Sequence, residues 1–175
     1  MNEPIADDLG LSSLSHEIAA YADPAHSIGY LLRVNFRAFS RAMEKRTQTQ
    51  GVSSGQWRFL RQLWREDGLT QSELSRRVGM REPTTVVAVN SLVKAGFAVR
   101  TPSADDRRKV HIHLTPTAKA LQATLLPMAA EVNTLATEGL SVQEVAVLRD
   151  LLHRMSENLA AEAESAPATN DEAAP

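Results

Sequence analysis

Cysteine is absent from the 175 residues, and with it go disulfides, thiol-based redox sensing and thiolate metal ligands. No run of eighteen apolar residues occurs, so no membrane-spanning helix is expected. The opening residues have neither the basic patch nor the apolar stretch of a secretory leader, which makes the cytoplasm the expected location. The five histidines are scattered. None stands in a recognisable nucleophile–base set, so no catalytic residue is assigned, no cofactor is expected and an enzyme is disfavoured.

The net charge of −2 would argue against a nucleic-acid partner if it were evenly spread, but it is not. Residues 1–26 carry five acids and no bases, and residues 116–175 carry nine acids against three bases. Between them the sign reverses. Residues 27–56 hold five bases against one acid, and residues 57–115 hold eleven against six. Attraction to phosphate decays over roughly 8–10 Å at physiological salt, so the local balance decides. A DNA duplex is expected against the basic middle.

Helical periodicity dominates the chain. Ile28, Leu31, Leu32, Phe36, Phe39 and Met43 recur at helical spacing from Ser27 to about residue 48. Gly51 ends that element, and Ser53 or Ser54 can cap a second helix carrying Trp57, Leu60, Leu63 and Trp64 on its apolar stripe. Core packing is the expected role of both tryptophans. After Gly68, Thr70-Gln71-Ser72-Glu73 has the form of a capping box. The short helix it opens should stop at Val78-Gly79. A further helix begins after Met80 with Pro83 in its first turn, and Leu74, Val78, Val86, Val89, Leu92 and Val93 are expected to face the core. Two helices joined by so few residues cross steeply, leaving the start of the second one exposed.

Phe97-Ala98-Val99-Arg100 reads as a strand. Val110, Ile112 and Leu114 alternate with Lys109, His111 and His113, which reads as its half-buried partner. Thr101 to Arg108 would then be the tip of a hairpin, basic and flexible. The fold class expected is mainly α with a small β-wing: a winged helix-turn-helix plus a helical region. One helix of such a lobe enters the major groove and the hairpin reaches the minor groove.

Three segments carry a resemblance. Leu69-Thr-Gln-Ser-Glu-Leu74, Leu92-x-x-x-Gly96-Phe97 and Asp106-Arg-Arg-Lys-Val-x-Ile-x-Leu114-Thr115 together resemble the MarR family of bacterial transcription regulators, over roughly residues 27–160. The resemblance implies a homodimer whose first and last two helices form the interface. It divides the chain into an N-terminal extension at 1–26, either part of the dimer region or flexible, and a dimerisation helix at 27–52. A DNA-binding lobe at 53–115, C-terminal dimerisation helices at 116–160 and a disordered tail at 161–175 follow. It also implies that Asp106 orients Arg108 into the minor groove.

Chemistry assigns the remaining contacts to double-stranded DNA. Arg107 and Lys109 would reach phosphates, as would Thr70, Gln71, Ser72, Arg76 and Arg77. At the exposed start of the second helix stand Arg81, Glu82, Pro83, Thr84 and Thr85, where Arg81 could read guanine and Glu82 could accept from cytosine. Asn90 and Lys94 can approach the backbone. Val86 and Val87 occupy positions where the family often has polar groups. They offer only packing, to the core or to a thymine methyl, so shape readout through the wing should supply much of the specificity.

The C-terminal third looks built for pairing. Pro116 starts a helix lined by Leu121, Leu125, Met128, Val132 and Leu135, which Pro127 should kink. Ser141 and Glu144 form a second capping box, and Val145, Leu148, Leu152, Met155 and Leu159 recur at heptad spacing. The family further implies a small-molecule effector, an aromatic acid or its thioester. Arg33, Arg37 and Arg58 could meet a carboxylate between apolar walls of Phe36, Trp57 and Trp64, with His26 or Tyr30 as a polar handle. Two other readings stay open: a metal-responsive regulator, since His111 and His113 share a strand face, and a DNA-binding protein without effector. No metal ligands are assigned, because two imidazoles make no closed site.

Overall fold

In the computed structural model, residues 18, 23–103, 106 and 109–165 are described. Helix α1 (Ile28–Thr47) starts where the Ser27 hydroxyl accepts the amide of Tyr30, and a single 3-10 turn then leads into Gly51. Gly51 takes a left-handed conformation, φ 70°, which a residue without Cβ adopts at no steric cost. Helix α2 (Ser54–Arg65) is capped by Ser53 in a reciprocal box with Gln56. The short strand β1 (Leu69–Thr70) runs straight into α3 (Gln71–Val78), and α4 (Glu82–Lys94) follows after Gly79. Strands β2 (Ala98–Pro102) and β3 (Val110–Leu114) lead into α5 (Pro116–Ala136), which continues helical through Pro127.

The sheet order is β1-β3-β2, all antiparallel, with Leu69 opposite Ile112 and Ala98 opposite Leu114. The hairpin β2–β3 was legible in the sequence, whereas β1 was not. Its two residues matter because they stitch the start of α3 to the base of the hairpin.

One core holds this lobe together. Phe59, Leu60 and Leu63 of α2 meet Leu74 of α3, Val89 and Leu92 of α4, and Ile112 of β3, each with at most 1% exposure. Burying a side chain of this size contributes about 1.5–3 kcal/mol. Two residues of α4 differ from expectation. Val86 faces outward, and Thr85 is fully buried in its place. The spacing 85, 89, 92 sets the inward stripe, and the Thr85 hydroxyl is satisfied within the helix by the Arg81 carbonyl at 3.3 Å.

Asp67 pins the sheet to α5. Its carboxylate accepts the amides of Gly68 (3.0 Å) and Leu114 (2.8 Å), and its other oxygen pairs with Lys119 Nζ at 2.9 Å. Burial pulls the Asp67 carboxyl upward, but Lys119 and the two amides outweigh it and hold the group below its ordinary 3.8. A depressed carboxyl adds stability that is complete above 3.8 and disappears as pH falls through the lower folded value. Asp67→Asn is therefore expected to cost about 1–2 kcal/mol at neutral pH. In urea titrations across pH 2–6 it should also flatten the acid limb, and an unchanged limb would contradict this assignment.

Gly68, at φ 77°, lies so close to the wing that an added Cβ would stand 2.7 Å from His113 Cε1. Gly68→Ala combines left-handed strain with that collision. It should destabilise the lobe by about 1–3 kcal/mol, read as a lower denaturation midpoint.

The chain divides into two compact units, the second beginning at Asn133. There Thr137 closes the end of α5 by donating to the Asn133 carbonyl at 2.9 Å. Ser141 and Glu144 then form the expected capping box for α6 (Val142–Ser165). Helix α6 runs to Ser165, five residues past the boundary expected at 160. Val147, Leu148, Leu151, Leu152 and Leu159 on it are all exposed. The segments 1–17 and 166–175 lie outside the described residues. Among those described, no helix is long and apolar enough to cross a membrane.

Candidate nucleic-acid interface and adjoining cleft

Thr70 caps α3 from the end of β1. Its hydroxyl accepts the Glu73 amide at 3.3 Å and donates to Glu73 Oε2 at 2.7 Å, and its own amide reaches the same oxygen at 2.8 Å. These bonds from the Thr70 hydroxyl and amide hold the Glu73 carboxyl below its ordinary value. The Thr70 hydroxyl is thereby committed to the cap.

Next to it, the Ser72 hydroxyl donates to Glu82 Oε1 at 2.8 Å. That bond ties the first turn of α3 to the first turn of α4 and leaves the second Glu82 oxygen without a hydrogen bond from Ser72. Thr70, Gln71, Ser72, Glu82 and Lys109 border one groove of about 470 Å³, which Glu73 and Val110 complete. Residues from two helices and the hairpin base thus converge.

Along α4, Arg81, Glu82, Pro83 and Thr84 are exposed. Arg81 occupies the cap position and makes no capping bond with its side chain, so its guanidinium is not spent on the helix end. Pro83, Val87, Asn90 and Lys94 follow at helical spacing and are all exposed, so they form a continuous face. Val87 is 68% exposed, as suits a contact to a thymine methyl. Thr85 does not belong to this face. With no exposed surface it cannot touch a duplex, and its assignment as a DNA contact is corrected.

A contact that sequence reasoning missed lies beside this face. Arg100 Nη2, on β2, donates to Asn90 Oδ1 at 2.6 Å, so a strand cation is held against the exposed face of α4. All of β2 beyond Ala98 is exposed, Arg100 included, and this pairing across ten positions left no local signal in the chain.

Arg76 is exposed, as expected of a phosphate contact, but Arg77 is engaged elsewhere. Its Nη2 lies 2.6 Å from Glu66 Oε2. In the hairpin, the Lys109 amide donates to the Asp106 carbonyl at 2.8 Å, closing the turn's base. Arg107 and Arg108, with the expected Asp106–Arg108 pairing, lie outside the described residues.

The two wing histidines serve the sheet. His111 Nδ1 lies 2.7 Å from the Gly68 carbonyl, and His113 Nδ1 lies 3.9 Å from Asp67. Among the described residues no three histidine, aspartate or glutamate side chains are grouped to hold a metal ion.

A cleft of about 580 Å³ opens within the first unit. Trp57, Arg58 and Trp64, all expected of an effector site, line it, with Arg61, Gln62, Arg65, Arg77, Val78, Gln122 and Leu126. The tryptophans meet edge to face at 5.7 Å, and Trp64 Nε1 donates to the Ala118 carbonyl at 2.8 Å. Both tryptophans therefore pack and line the cleft at once. His26, Tyr30, Arg33, Phe36 and Arg37 are not among its walls. Arg33 lies over the Tyr30 ring, His26 pairs with Asp23 at 3.3 Å, and Phe36 touches the cleft indirectly, under the Arg58 guanidinium at 5.0 Å.

A short capped helix, a tight turn at Gly79, a second helix with a bare polar start and a two-stranded hairpin define a winged helix-turn-helix protein. The sequence model of the MarR family matches residues 50–109. A transcriptional regulator from Pseudomonas aeruginosa is 30% identical, superposes with a TM-score of 0.67, and covers 74% of this chain and 96% of its own. A protein assigned to transcriptional regulation of the hcr operon in Thauera aromatica is 34% identical over 96 residues. That match takes in 53% of this chain and 56% of the relative, so the chain spans little more than half of its length. A MarR-family regulator from Listeria monocytogenes, solved in complex with a 26mer DNA, shares the fold at a TM-score of 0.75 and 19% identity, over 85% of this chain and 99% of that one. The chain belongs to the MarR family of transcriptional regulators, whose members are not enzymes.

Proposed function

We propose that the protein is a homodimeric, cytoplasmic repressor that binds a pseudo-palindromic operator and leaves it when a small aromatic acid or its coenzyme A thioester binds. The observation that carries this reading is the bare face of α4, running from Arg81 through Val87 to Lys94 beside the hairpin. A single such lobe covers one half-site. Two lobes related by a dimer axis cover half-sites about one helical turn apart.

Pairing is supported by apolar residues left open in a single chain. Leu31, Leu32, Phe36 and Phe39 of α1 are exposed, as are Leu148, Leu151, Leu152 and Leu159 of α6. A second copy would remove these surfaces from water, at about 25 cal/mol per Å². Bound over two successive grooves, such a dimer would block access to a promoter.

The effector would sit in the cleft lined by Trp57, Trp64 and Arg58. It would favour a lobe spacing that no longer matches successive grooves. A hundredfold loss of affinity needs a coupling of only about 2.7 kcal/mol. Fluorescence anisotropy tests the reading, using DNA from upstream of the protein's own gene and a titration of aromatic acids and thioesters. Tight, salt-sensitive binding reversed by one compound supports it. Binding that no compound disturbs removes the effector, and no preference over random DNA removes the operator.

A further inference from the structure

The cleft's charge does not match a simple carboxylate. Four guanidinium groups, Arg58, Arg61 and Arg65 of α2 and Arg77 of α3, line it, while none of its other walls is acidic. A side pocket of about 260 Å³, lined by Gln62, Arg65, Glu66 and Arg77, shares three of its residues with the main cleft. Glu66 is the one acid there, and it holds Arg77 at 2.6 Å. One carboxylate is satisfied by one guanidinium in a bidentate pair. A monoacid in this cleft would neutralise only one of its guanidinium groups beyond the one that Glu66 already pairs. A phosphate ester or diphosphate brings more charge and more acceptor oxygens to the same place.

We propose that this cleft binds an organic polyanion carrying phosphate, with its planar apolar part on Trp57 and Trp64 and its phosphates on Arg61, Arg65 and Arg77. The inference rests on the effector reading above and names the ligand class for that site. The two halves of the cleft differ in the way such a ligand requires. Trp57, Trp64, Val78 and Leu126 are apolar walls of the main cleft, and the side pocket is almost wholly polar.

Glu66 acts as the resident acceptor that a phosphate replaces. When Arg77 turns from Glu66 to the ligand, the C-terminal turn of α3 is pulled, and α3 is tied to α4 through the Ser72–Glu82 bond. Anion binding thereby reaches the helix that meets DNA. A duplex would meet the other side of α3, at the groove that Gln71, Ser72 and Lys109 border.

The test is calorimetric titration of the full chain without DNA, at fixed ionic strength, with benzoate, benzoyl-coenzyme A and ATP. At least one phosphate-bearing probe should bind ten times or more tightly than benzoate. Benzoyl-coenzyme A binding above ATP would assign the site to an acyl thioester, and equal affinities would assign it to nucleotides. Arg65→Gln and Arg77→Gln should each weaken that probe at least tenfold, with circular dichroism unchanged. Glu66→Gln should strengthen it several-fold, because Arg77 loses its resident partner.

Benzoate binding as tightly as the phosphates, or an Arg77→Gln variant with unaltered affinity, would overturn the proposal. So would arginine variants that lose only DNA affinity. Operator binding by the same preparations separates the two readings. If it persists while no phosphate probe binds, this proposal alone fails. If phosphate binds but no operator is preferred, the repressor reading fails instead.

Discussion

Alanine at both Arg107 and Arg108 is expected to weaken operator binding about a hundredfold, equivalent to about 2.7 kcal/mol, with the circular dichroism spectrum unchanged. The strands on either side of this segment are paired from Ala98–Leu114 to Pro102–Val110, so the hairpin base should survive the substitution. The two single variants should separate by mechanism. Arg107→Ala, as a phosphate contact, should lower affinity equally for all sequences and reduce the slope of log affinity against log salt by about one. Arg108→Ala should lose most on sites with a narrow, A·T-rich minor groove, where the negative potential is strongest. Anisotropy over a salt series on two operators differing only in the A·T content beneath the wing measures both. Wild-type affinity in Arg108→Ala would remove the wing from recognition.

The second large effect lies in the core. Leu92 is fully buried among the side chains that join α2, α3 and α4. Leu92→Ala removes that contact and leaves a cavity, at a cost of about 2–5 kcal/mol. At about 2–4 °C per kcal/mol for a chain of this size, the melting temperature should fall by roughly 5–20 °C. In urea the midpoint should drop with its slope preserved. The neighbouring Val87→Ala, on the exposed face of the same helix, should change stability by no more than about 0.5 kcal/mol. A comparable loss in both would mean that α4 packs by a different face.

These contrasts mark how far the sequence could be read. The capping boxes at Thr70 and Ser141, the turn at Gly79 and the hairpin strands depend on neighbours a few residues apart, and local order was enough to place them. Strand β1 depends on His111 and Ile112, some forty positions away, and two residues give no period to detect. In α4 the valine run hid the phase, because Val86 and Thr85 compete for one inward position. Only the packing of Val89 and Leu92 decides for threonine.

The cleft shows the same division. Arg58, Arg61 and Arg65 recur at spacings of three and four along α2, so their shared face was available from the chain alone. The arrival of Arg77 from α3, and its capture by Glu66, depends on how two helices cross. The exclusion of Tyr30, Arg33 and Arg37 has a similar origin. They too lie on a helix with periodic arginines, and only the packing of α1 keeps them off the cleft walls.

Strand β1 has a mechanical consequence. It leaves the sheet at Thr70 and becomes α3 at Gln71 with no intervening loop, while Ile112 and His111 fasten it to the wing. A tilt of α3 would therefore pull on the hairpin, and the Ser72–Glu82 bond links α4 to the same helix. On the proposed reading, the α4 face and the hairpin would then leave DNA together. Each half-site of the proposed operator would be engaged or abandoned as a whole, which would give a single lobe the character of a latch with two teeth on one bar.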